Sequence, residues 1–153
     1  MGITAVASDN GFEKYRSNYL DEKNAPLYPF GYGLSYTDFN YSGVKLSSGT
    51  MDMDGCIQAS VTVSNTGKYA GSETVQLYIR DREASITRPL RELKGFEKIT
   101  LNPGESKTVT FTILPDMLKF YNYDLQYICE PGDFDVMIGG NSRDTHSAQF
   151  VLK

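Results

Sequence analysis

From about residue 36 onward, the chain consists of short alternations of apolar and polar residues separated by turn sequences. Five such runs occur, at 57–64, 75–79, 108–113, 134–138 and 148–152. Because successive side chains of a β-strand point to opposite faces of a sheet, each run can cover a core with its apolar residues and expose its polar ones. Each run therefore predicts one strand with a single buried face.

Two further strands and one tight reversal complete the pattern. The apolar spacing within 38–47 and within 94–101 predicts a strand in each. The sequence Asn-Pro-Gly-Glu at 102–105 predicts a hairpin turn, because proline presets φ and glycine accepts a positive φ. A single helical turn is expected around 115–118. About seven short strands joined by turns predict an all-β fold, an antiparallel β-sandwich of the immunoglobulin or fibronectin type III-like class.

Residues 1–35 follow neither the strand period nor the helical period. They are rich in glycine, proline and aromatic residues, and structureless segments of this length are uncommon inside compact domains. We therefore divide the chain into an irregular linker or docking segment, 1–35, and a β-sandwich, 36–153. We expect 1–25 to be poorly ordered when the surface on which they dock is missing. Met1-Gly2 is typical of a start added to an excised segment.

Composition and charge narrow the classes of function. The chain has 15 Lys and Arg against 19 Asp and Glu, a formal net charge of −4, which argues against a nucleic-acid partner. No apolar run approaches the ~20 residues of a membrane-spanning helix, and the N-terminus lacks the basic and apolar regions of a secretion signal. One histidine and two cysteines are too few for a usual zinc site, so we expect no metal and no cofactor.

The segment PLYPFGYGLSY at 26–36, followed by Thr-Asp-Phe, resembles the signature that introduces the C-terminal fibronectin type III-like domain of glycoside hydrolase family 3, the β-glucosidases and β-xylosidases. Other motifs similar to those of the family follow in order: VTVSNTG at 61–67, GSETVQLY at 71–78, RPLRELKGF at 88–96, LNPGE at 101–105 and EPGDF at 130–134. The stretch YRSNYLD at 15–21 is similar to the sequence that precedes the signature. The resemblance covers about 13–152.

The resemblance implies that the catalytic machinery lies outside these 153 residues. Family members hydrolyse β-glycosides with retention, using an Asp nucleophile in an N-terminal (β/α)8 barrel and commonly a Glu acid/base in a second α/β domain. A barrel alone needs ~250 residues, so we expect no catalytic residue here. Ser8-Asp9-Asn10 does not qualify as the nucleophile motif, because no strand precedes it.

We therefore expect this chain to be a non-catalytic accessory domain that stabilises the catalytic domains of the same parent chain. The parent would hydrolyse O-glycosyl bonds in carbohydrate metabolism, and the family implies a periplasmic or secreted location. The parent's sugar specificity would reside in the absent domains.

The candidate functional residues lie in the signature: Tyr28, Phe30, Gly31, Tyr32, Gly33 and Tyr36. In the interpretation we favour, the aromatic residues anchor the linker between the sandwich and the catalytic domains, and the glycines allow one stretch of chain to pass close to another. In the alternative, the exposed tyrosines stack sugar rings, and the chain is a carbohydrate-binding module that tethers the enzyme to glycan. The lack of Trp, the usual platform residue, counts against this alternative. A third interpretation places these residues at the entrance to the parent's active site.

The charged residues outside the signature have structural explanations. The basic residues are expected on a solvated face with weak salt bridges, or in contact with a neighbouring domain; they are Arg88, Arg91, Lys94 and Lys98. The acidic residues are expected to promote solubility, since none has the spacing of a calcium loop; they include Asp52, Asp54, Asp81, Glu83, Asp133 and Asp135.

The single histidine and the two cysteines also carry no catalytic motif. His146 has neither a partnered nucleophile nor a second histidine, so we expect a structural role. Cys56 and Cys129 are expected to be free thiols, with a bridge near one end of the sandwich as the alternative.

Overall fold

The fold is given by a computed structural model, which describes residues 26–86 and 88–153. The expectation of poor order for 1–25, and the similarity noted at 15–21, lie outside the described residues. The described residues form one 3-10 turn (Pro115–Met117) and eleven strands. The strands are β1 (Phe39–Tyr41), β2 (Lys45–Leu46), β3 (Thr50–Met51), β4 (Ile57–Asn65), β5 (Gly71–Asp81), β6 (Glu92–Leu101), β7 (Ser106–Ile113), β8 (Phe120–Tyr121), β9 (Tyr127–Ile128), β10 (Gly132–Gly139) and β11 (Thr145–Leu152).

Two sheets enclose the core. Sheet A pairs β4 with β1 and β2 along one edge and with β7 along the other. Sheet B has the order β3-β11-β10-β5-β6, and its pairs are antiparallel except for the short β3–β11 pair. Strands β8 and β9 form a separate hairpin. This arrangement confirms the predicted antiparallel β-sandwich.

The core consists of alternate residues of the long strands. In β4 every second residue from Ile57 onward is buried, and the polar residues between them point outward. Phe134 of β10 and Phe150 of β11 stack between the sheets with ring centroids 5.4 Å apart. Each fully buried side chain of this kind contributes ~1.5–3 kcal/mol relative to an exposed one, so the period-2 pattern itself brings the sheets together.

The strand predicted at 38–47 is interrupted. Tyr41 pairs with Val63 and Lys45 pairs with Ser60, so three residues of one strand oppose two residues of β4. The extra residue makes a β-bulge, and Ser42 stays paired with β4 by donating its N–H to the Thr62 carbonyl at 2.9 Å. The strand predicted at 94–101 begins two residues earlier, at Glu92.

The tight reversal predicted at 102–105 is confirmed, but the hairpin is wrong, because β6 belongs to sheet B and β7 to sheet A, so the turn connects the two sheets. The Glu105 N–H donates to the Asn102 carbonyl at 3.0 Å, and Gly104 has a φ of 78°, which a turn with glycine at its third position requires. The helical turn expected around 115–118 is also present, as Pro115–Met117. Among the described residues, no helix is long and apolar enough to cross a membrane.

Candidate docking surface

The outer face of sheet B is covered at its centre. Gln76 and Tyr78 of β5, and Met137 of β10, alternate with core residues and so point away from the core, yet all three are buried. Residues 26–36, which we call the signature segment, lie next to two of them: Gln76 is hydrogen-bonded to Gly31, and Tyr78 lies beside Pro29 and Phe30. Pro29 of the segment is buried as well.

The amide of Gln76 joins the signature segment to the sheet. Its Nε2 donates to the carbonyls of Gly31 at 3.0 Å and Gly140 at 2.8 Å. Its Oε1 accepts a hydrogen bond from the Tyr78 hydroxyl at 2.5 Å. Since a buried amide without partners would be destabilising by ~1–3 kcal/mol, this full set of bonds makes Gln76 a specific attachment point for the segment.

Main-chain hydrogen bonds fix the segment further. The Ser142 N–H donates to the Phe30 carbonyl at 2.8 Å, and Arg143 Nη2 donates to the Pro26 carbonyl at 2.7 Å. Within the segment the Tyr32 N–H donates to the Pro29 carbonyl at 3.1 Å. The segment is therefore held on sheet B by its backbone.

The two signature glycines differ in their surroundings. Gly31 has a φ of 77°, and a Cβ added there would collide with the Gln76 amide, so the close passage expected at Gly31 is confirmed. At Gly33 an added Cβ would meet nothing within 4 Å, and the φ of Gly33 is not in the positive range. The described chain thus makes no close approach to Gly33, and a close passage there stays a prediction for the contact with the catalytic domains.

The apolar side chains of the segment point away from the sandwich. Leu34 is 90% exposed and Tyr36 is 97% exposed. The same holds, to smaller degrees, for Leu27, Tyr28, Phe30 and Tyr32. The rings of Tyr28 and Tyr32 lie 5.1 Å apart and are tilted by 35°. A fixed backbone with exposed apolar side chains is typical of an interaction surface.

A buried asparagine holds the chain that follows the segment. The Thr37 hydroxyl donates to Asn65 Oδ1 at 2.7 Å, and Asn65 Nδ2 donates to the carbonyls of Tyr69 at 2.8 Å and Leu101 at 3.0 Å. The Gly67 N–H donates to the same Oδ1 at 3.0 Å. Sequence reasoning gave Asn65 no role; the available signal was an Asn two residues before a Gly at the end of a strand.

A tyrosine–glutamate pair closes one end of the sandwich. The Tyr41 hydroxyl, on sheet A, donates to Glu73 Oε1, on sheet B, at 2.9 Å. Burial raises the pKa of Glu73, and the hydrogen bond from Tyr41 partly opposes this. Burial and then the charge of Glu73 raise the pKa of Tyr41. His146 stacks on Tyr41 with ring centroids 6.5 Å apart, which agrees with a structural role for that histidine.

The expectation of a solvated basic face is wrong for Arg88. Its side chain is 8% exposed, and its guanidinium lies 3.0 Å from Asp81 Oδ2 and 2.9 Å from Glu92 Oε1. It also lies over the Phe120 ring at 4.8 Å. The Asp81 side chain is only 4% exposed, so the surface role expected for that carboxylate is wrong too. The loop after β5 turns the charges inward, and their mutual pairing compensates for the lost hydration.

The thiols and the acidic residues supply no further chemistry. Cys56 is exposed and Cys129 is half-buried, and both are free. Burial raises the pKa of the Cys129 thiol, and the charge of Asp81 adds to this. Across 26–86 and 88–153, no three His, Cys, Asp or Glu side chains are grouped so as to hold a metal ion.

Comparison with known proteins relates this chain to a family. A family model described as "Fibronectin type III-like domain" matches residues 73–142. A periplasmic beta-glucosidase of Salmonella typhimurium is 55% identical over 139 residues, which cover 91% of this chain and 18% of that protein. A putative beta-xylosidase of Formosa agariphila is 51% identical over 139 residues, with the same two coverages.

A solved structure is similar in fold as well as in sequence. The beta-glucosidase from Listeria innocua in complex with isofagomine superposes with a TM-score of 0.83 at 40% identity, over 95% of this chain and 20% of that one. The chain thus spans about a fifth of the length of the relatives that it matches. The remaining four-fifths or so of those proteins have no counterpart in the matched residues.

Proposed function

This chain belongs to the fibronectin type III-like domains of the glycoside hydrolase family 3 β-glucosidases and β-xylosidases, and on that premise we propose that it is a non-catalytic accessory domain that docks on the catalytic part of a parent β-glycosidase. In this proposal the parent cleaves O-glycosyl bonds, and the domain keeps its catalytic domains in place. Residues 1–35 serve as the linker and docking segment, and 36–153 form the sandwich.

The observation that carries the proposal is the contrast between the fixed backbone and the exposed side chains of the signature segment. Ordering a residue's backbone opposes folding by ~1–2 kcal/mol. Residues such as Leu34 and Tyr36 bury almost nothing in return within this chain. Burial of these side chains against a second surface supplies the missing stabilisation, so Tyr28, Phe30, Tyr32 and Tyr36 become contact residues and Gly31 sets their position.

A chimera tests the docking. In it, this chain replaces the matching segment of the Salmonella typhimurium relative, to which it is 55% identical. Leu34→Ser with Tyr36→Ser should lower the thermal midpoint of the chimera by several degrees, because the contact side chains are lost. The matched control is Tyr123→Ser with Leu125→Ser, two apolar residues between β8 and β9 that are also more than three-quarters exposed. Equal midpoints for the docking variant and the control would contradict the proposal.

An activity assay tests the non-catalytic assignment. The isolated chain should hydrolyse neither nitrophenyl glucosides nor nitrophenyl xylosides, because retaining hydrolysis needs two carboxyl groups about 5 Å apart across the sugar. Turnover that co-purifies with the chain would count against the assignment if it changed when Glu73, the half-buried carboxyl at the end of the sandwich, was replaced by Gln.

A second candidate function is glycan binding, favoured by the exposed, touching pair Tyr28 and Tyr32. Aromatic faces of this kind can stack on sugar rings, although the 35° tilt between the two rings does not give one flat platform. The test is retention of the isolated chain on cellulose, xylan or β-glucan, with loss of retention in Tyr28→Ala and Tyr32→Ala. A pull-down without retention, beside a working positive control, would remove this candidate.

A further inference from the structure

An apolar groove runs beside the signature segment on the outer side of sheet B. Pro26, Pro29 and Phe30 of the segment line one part of it, and Leu90 and Leu93 line another. Tyr78, Arg91, Ser142 and Arg143 complete the lining, and the groove has a volume of about 630 Å³.

The walls of the groove are apolar and open to solvent. Phe30 is exposed, Leu90 is 72% exposed, and Leu93 is exposed to a smaller degree. Leu90 and Leu93 belong to the RPLRELKGF motif, whose outward face the sequence interpretation treated as solvated. Because apolar side chains in a concave surface favour an apolar occupant, the groove extends the docking surface beyond the signature segment.

The charges at the groove have one sign. Arg91 and Arg143 are among the lining residues, and none of the residues that line the groove is acidic. Neither arginine forms a salt bridge with a carboxylate of the described part of the chain, whereas Arg88, three residues from Arg91, is paired with two carboxylates. Arg143 uses one of its donors on the Pro26 carbonyl. In a chain whose net charge is −4, two arginines that pair with no carboxylate of 26–86 or 88–153 and lie at one apolar groove indicate an acidic partner.

The position of Pro26 in the groove wall also indicates the source of the occupant. Pro26 is part of the groove wall, so the polypeptide that leads into the sandwich reaches it at the groove. The neighbouring part of the parent polypeptide is therefore held close to the groove at a high effective concentration.

Building on the proposed function, we propose that this groove receives an apolar segment of the parent's catalytic part that carries at least one carboxylate, paired with Arg91 and Arg143. The apolar walls supply contact area, and the two guanidinium groups set the register of the docked segment. The signature segment and the groove then act as two halves of one interface.

The chimera with the Salmonella typhimurium relative tests this with a charge variant. Arg91→Gln with Arg143→Gln removes both cations from the groove, and the matched control, Lys45→Gln with Lys68→Gln, removes two exposed cations elsewhere. The thermal midpoint of each is measured in the chimera and in the isolated chain, so that loss of the Arg143–Pro26 hydrogen bond is subtracted. We expect the groove variant to lower the midpoint of the chimera by about 3 °C or more beyond its effect on the isolated chain. The control should shift it by less than about 1 °C, as scattered surface charges do.

Two further measurements make the test specific. They are the salt dependence of the midpoint of the chimera, and the binding of the isolated chain to the relative that lacks its matching segment. The extra loss in the chimera should shrink by at least about half between 50 mM and 500 mM NaCl, because the Debye length falls over this range. When the isolated chain is added to the relative lacking its matching segment, the groove variant should raise the dissociation constant about tenfold at low salt. A groove variant that behaves as its control in both measurements overturns the inference.

The outcomes separate this inference from the proposed function. If Leu34→Ser with Tyr36→Ser weakens the chimera and the arginine variant does not, the docking function stands and the acidic occupant is wrong. If the leucine–tyrosine variant has no effect, the proposed function fails by itself. Concentration-dependent dimers of the isolated chain that disappear in the arginine variant would show that a second copy occupies the groove, which also overturns the inference.

Discussion

The partners of the Arg88 guanidinium all belong to this domain. The guanidinium pairs with Asp81 and Glu92 and also donates to the Leu118 carbonyl at 3.3 Å. Arg91 belongs to the same motif but is exposed and forms no ion pair among the described residues. Arg88 thus stabilises the fold, whereas Arg91, three positions later, contributes to the proposed docking.

Replacement of Arg88 should therefore be strongly destabilising. Arg88→Met leaves the Asp81 carboxylate buried without its cation, and removal of one partner of a buried ion pair typically lowers the free energy of unfolding by ~3–5 kcal/mol. Arg91→Met in the isolated chain is the matched control and should change it by less than ~0.5 kcal/mol. Urea denaturation of both variants measures the difference, and similar midpoints for the two would contradict the structural role of Arg88.

Two half-buried carboxyl groups should give opposite dependences of stability on pH. Burial alone would raise the pKa of Glu92, but the hydrogen bond from Lys94 and the charges of Arg88 and Lys94 lower it overall. Its contribution to stability is then present above the ordinary pKa of 4.5 and is lost as the pH falls through the lower folded-state pKa. Burial raises the pKa of Glu73, so the folded state takes up this proton more readily, and stability falls as the pH rises above 4.5 through the folded-state pKa.

Glu73→Gln tests the second of these effects. At neutral pH the amide avoids a buried charge and can still accept the hydrogen bond of Tyr41, so the free energy of unfolding should rise. Near pH 4, where the carboxyl is largely protonated in both states, the variant and the parent chain should differ little. The comparison is urea denaturation at both pH values, with the exposed Glu83→Gln as control. A variant that is less stable at neutral pH would show that the Glu73 carboxylate is stabilising.

Among the elements, the signature segment approaches sheet B very closely at Gly31, next to the Gln76 amide. Gly31→Ala adds a Cβ at a φ of 77° and against the Gln76 amide, so the segment must leave the sheet or shift Gln76. Amide-exchange protection should fall at Ser142 and Tyr32, whose N–H groups bond to Phe30 and Pro29. Gly33→Ala, two residues later and in open space, is the control and should keep that protection. Loss of protection in both variants would mean that the segment is held by something other than the fit at Gly31.

The strands could be predicted from the sequence, whereas the placement of the signature segment could not. A period of two is a local signal, so β4, β7 and β10 are recognisable from the short runs 57–64, 108–113 and 134–138 alone. The segment has no period, and its position is set by Gln76, 45 residues further along the chain. The burial of Arg88 was missed for a related reason. Its partner Asp81 is the last residue of β5, and the path of the loop between the two residues decides whether their charges lie at the surface or inside.

At the scale of the whole molecule, the outer faces of the two sheets differ in the polarity of their exposed side chains. On sheet A the outward hydroxyl groups pair across strands, as in Thr62 with Thr108 at 3.1 Å and Ser64 with Ser106 at 2.7 Å, and this face is suited to water. The outer side of sheet B carries exposed apolar residues on the signature segment and on the RPLRELKGF motif. Another exposed group lies on the β8–β9 hairpin. The sandwich thus buries a core between its sheets but leaves apolar side chains exposed on the outer side of sheet B.

The exposed apolar residues on the outer side of sheet B should cause self-association of the isolated chain. Exposed apolar surface favours weak self-association, so the sedimentation coefficient should rise with protein concentration. Leu34→Ser with Tyr36→Ser should reduce this rise and leave the free energy of unfolding within ~0.5 kcal/mol, because neither side chain packs against the core. Thr37→Val, which directly follows these residues, removes the buried hydrogen bond to Asn65 and should have the opposite profile, with a loss of ~1–3 kcal/mol and unchanged association. If the serine variant lost stability to the same extent, the exposed half of the signature would belong to the fold of this domain and not to an interface.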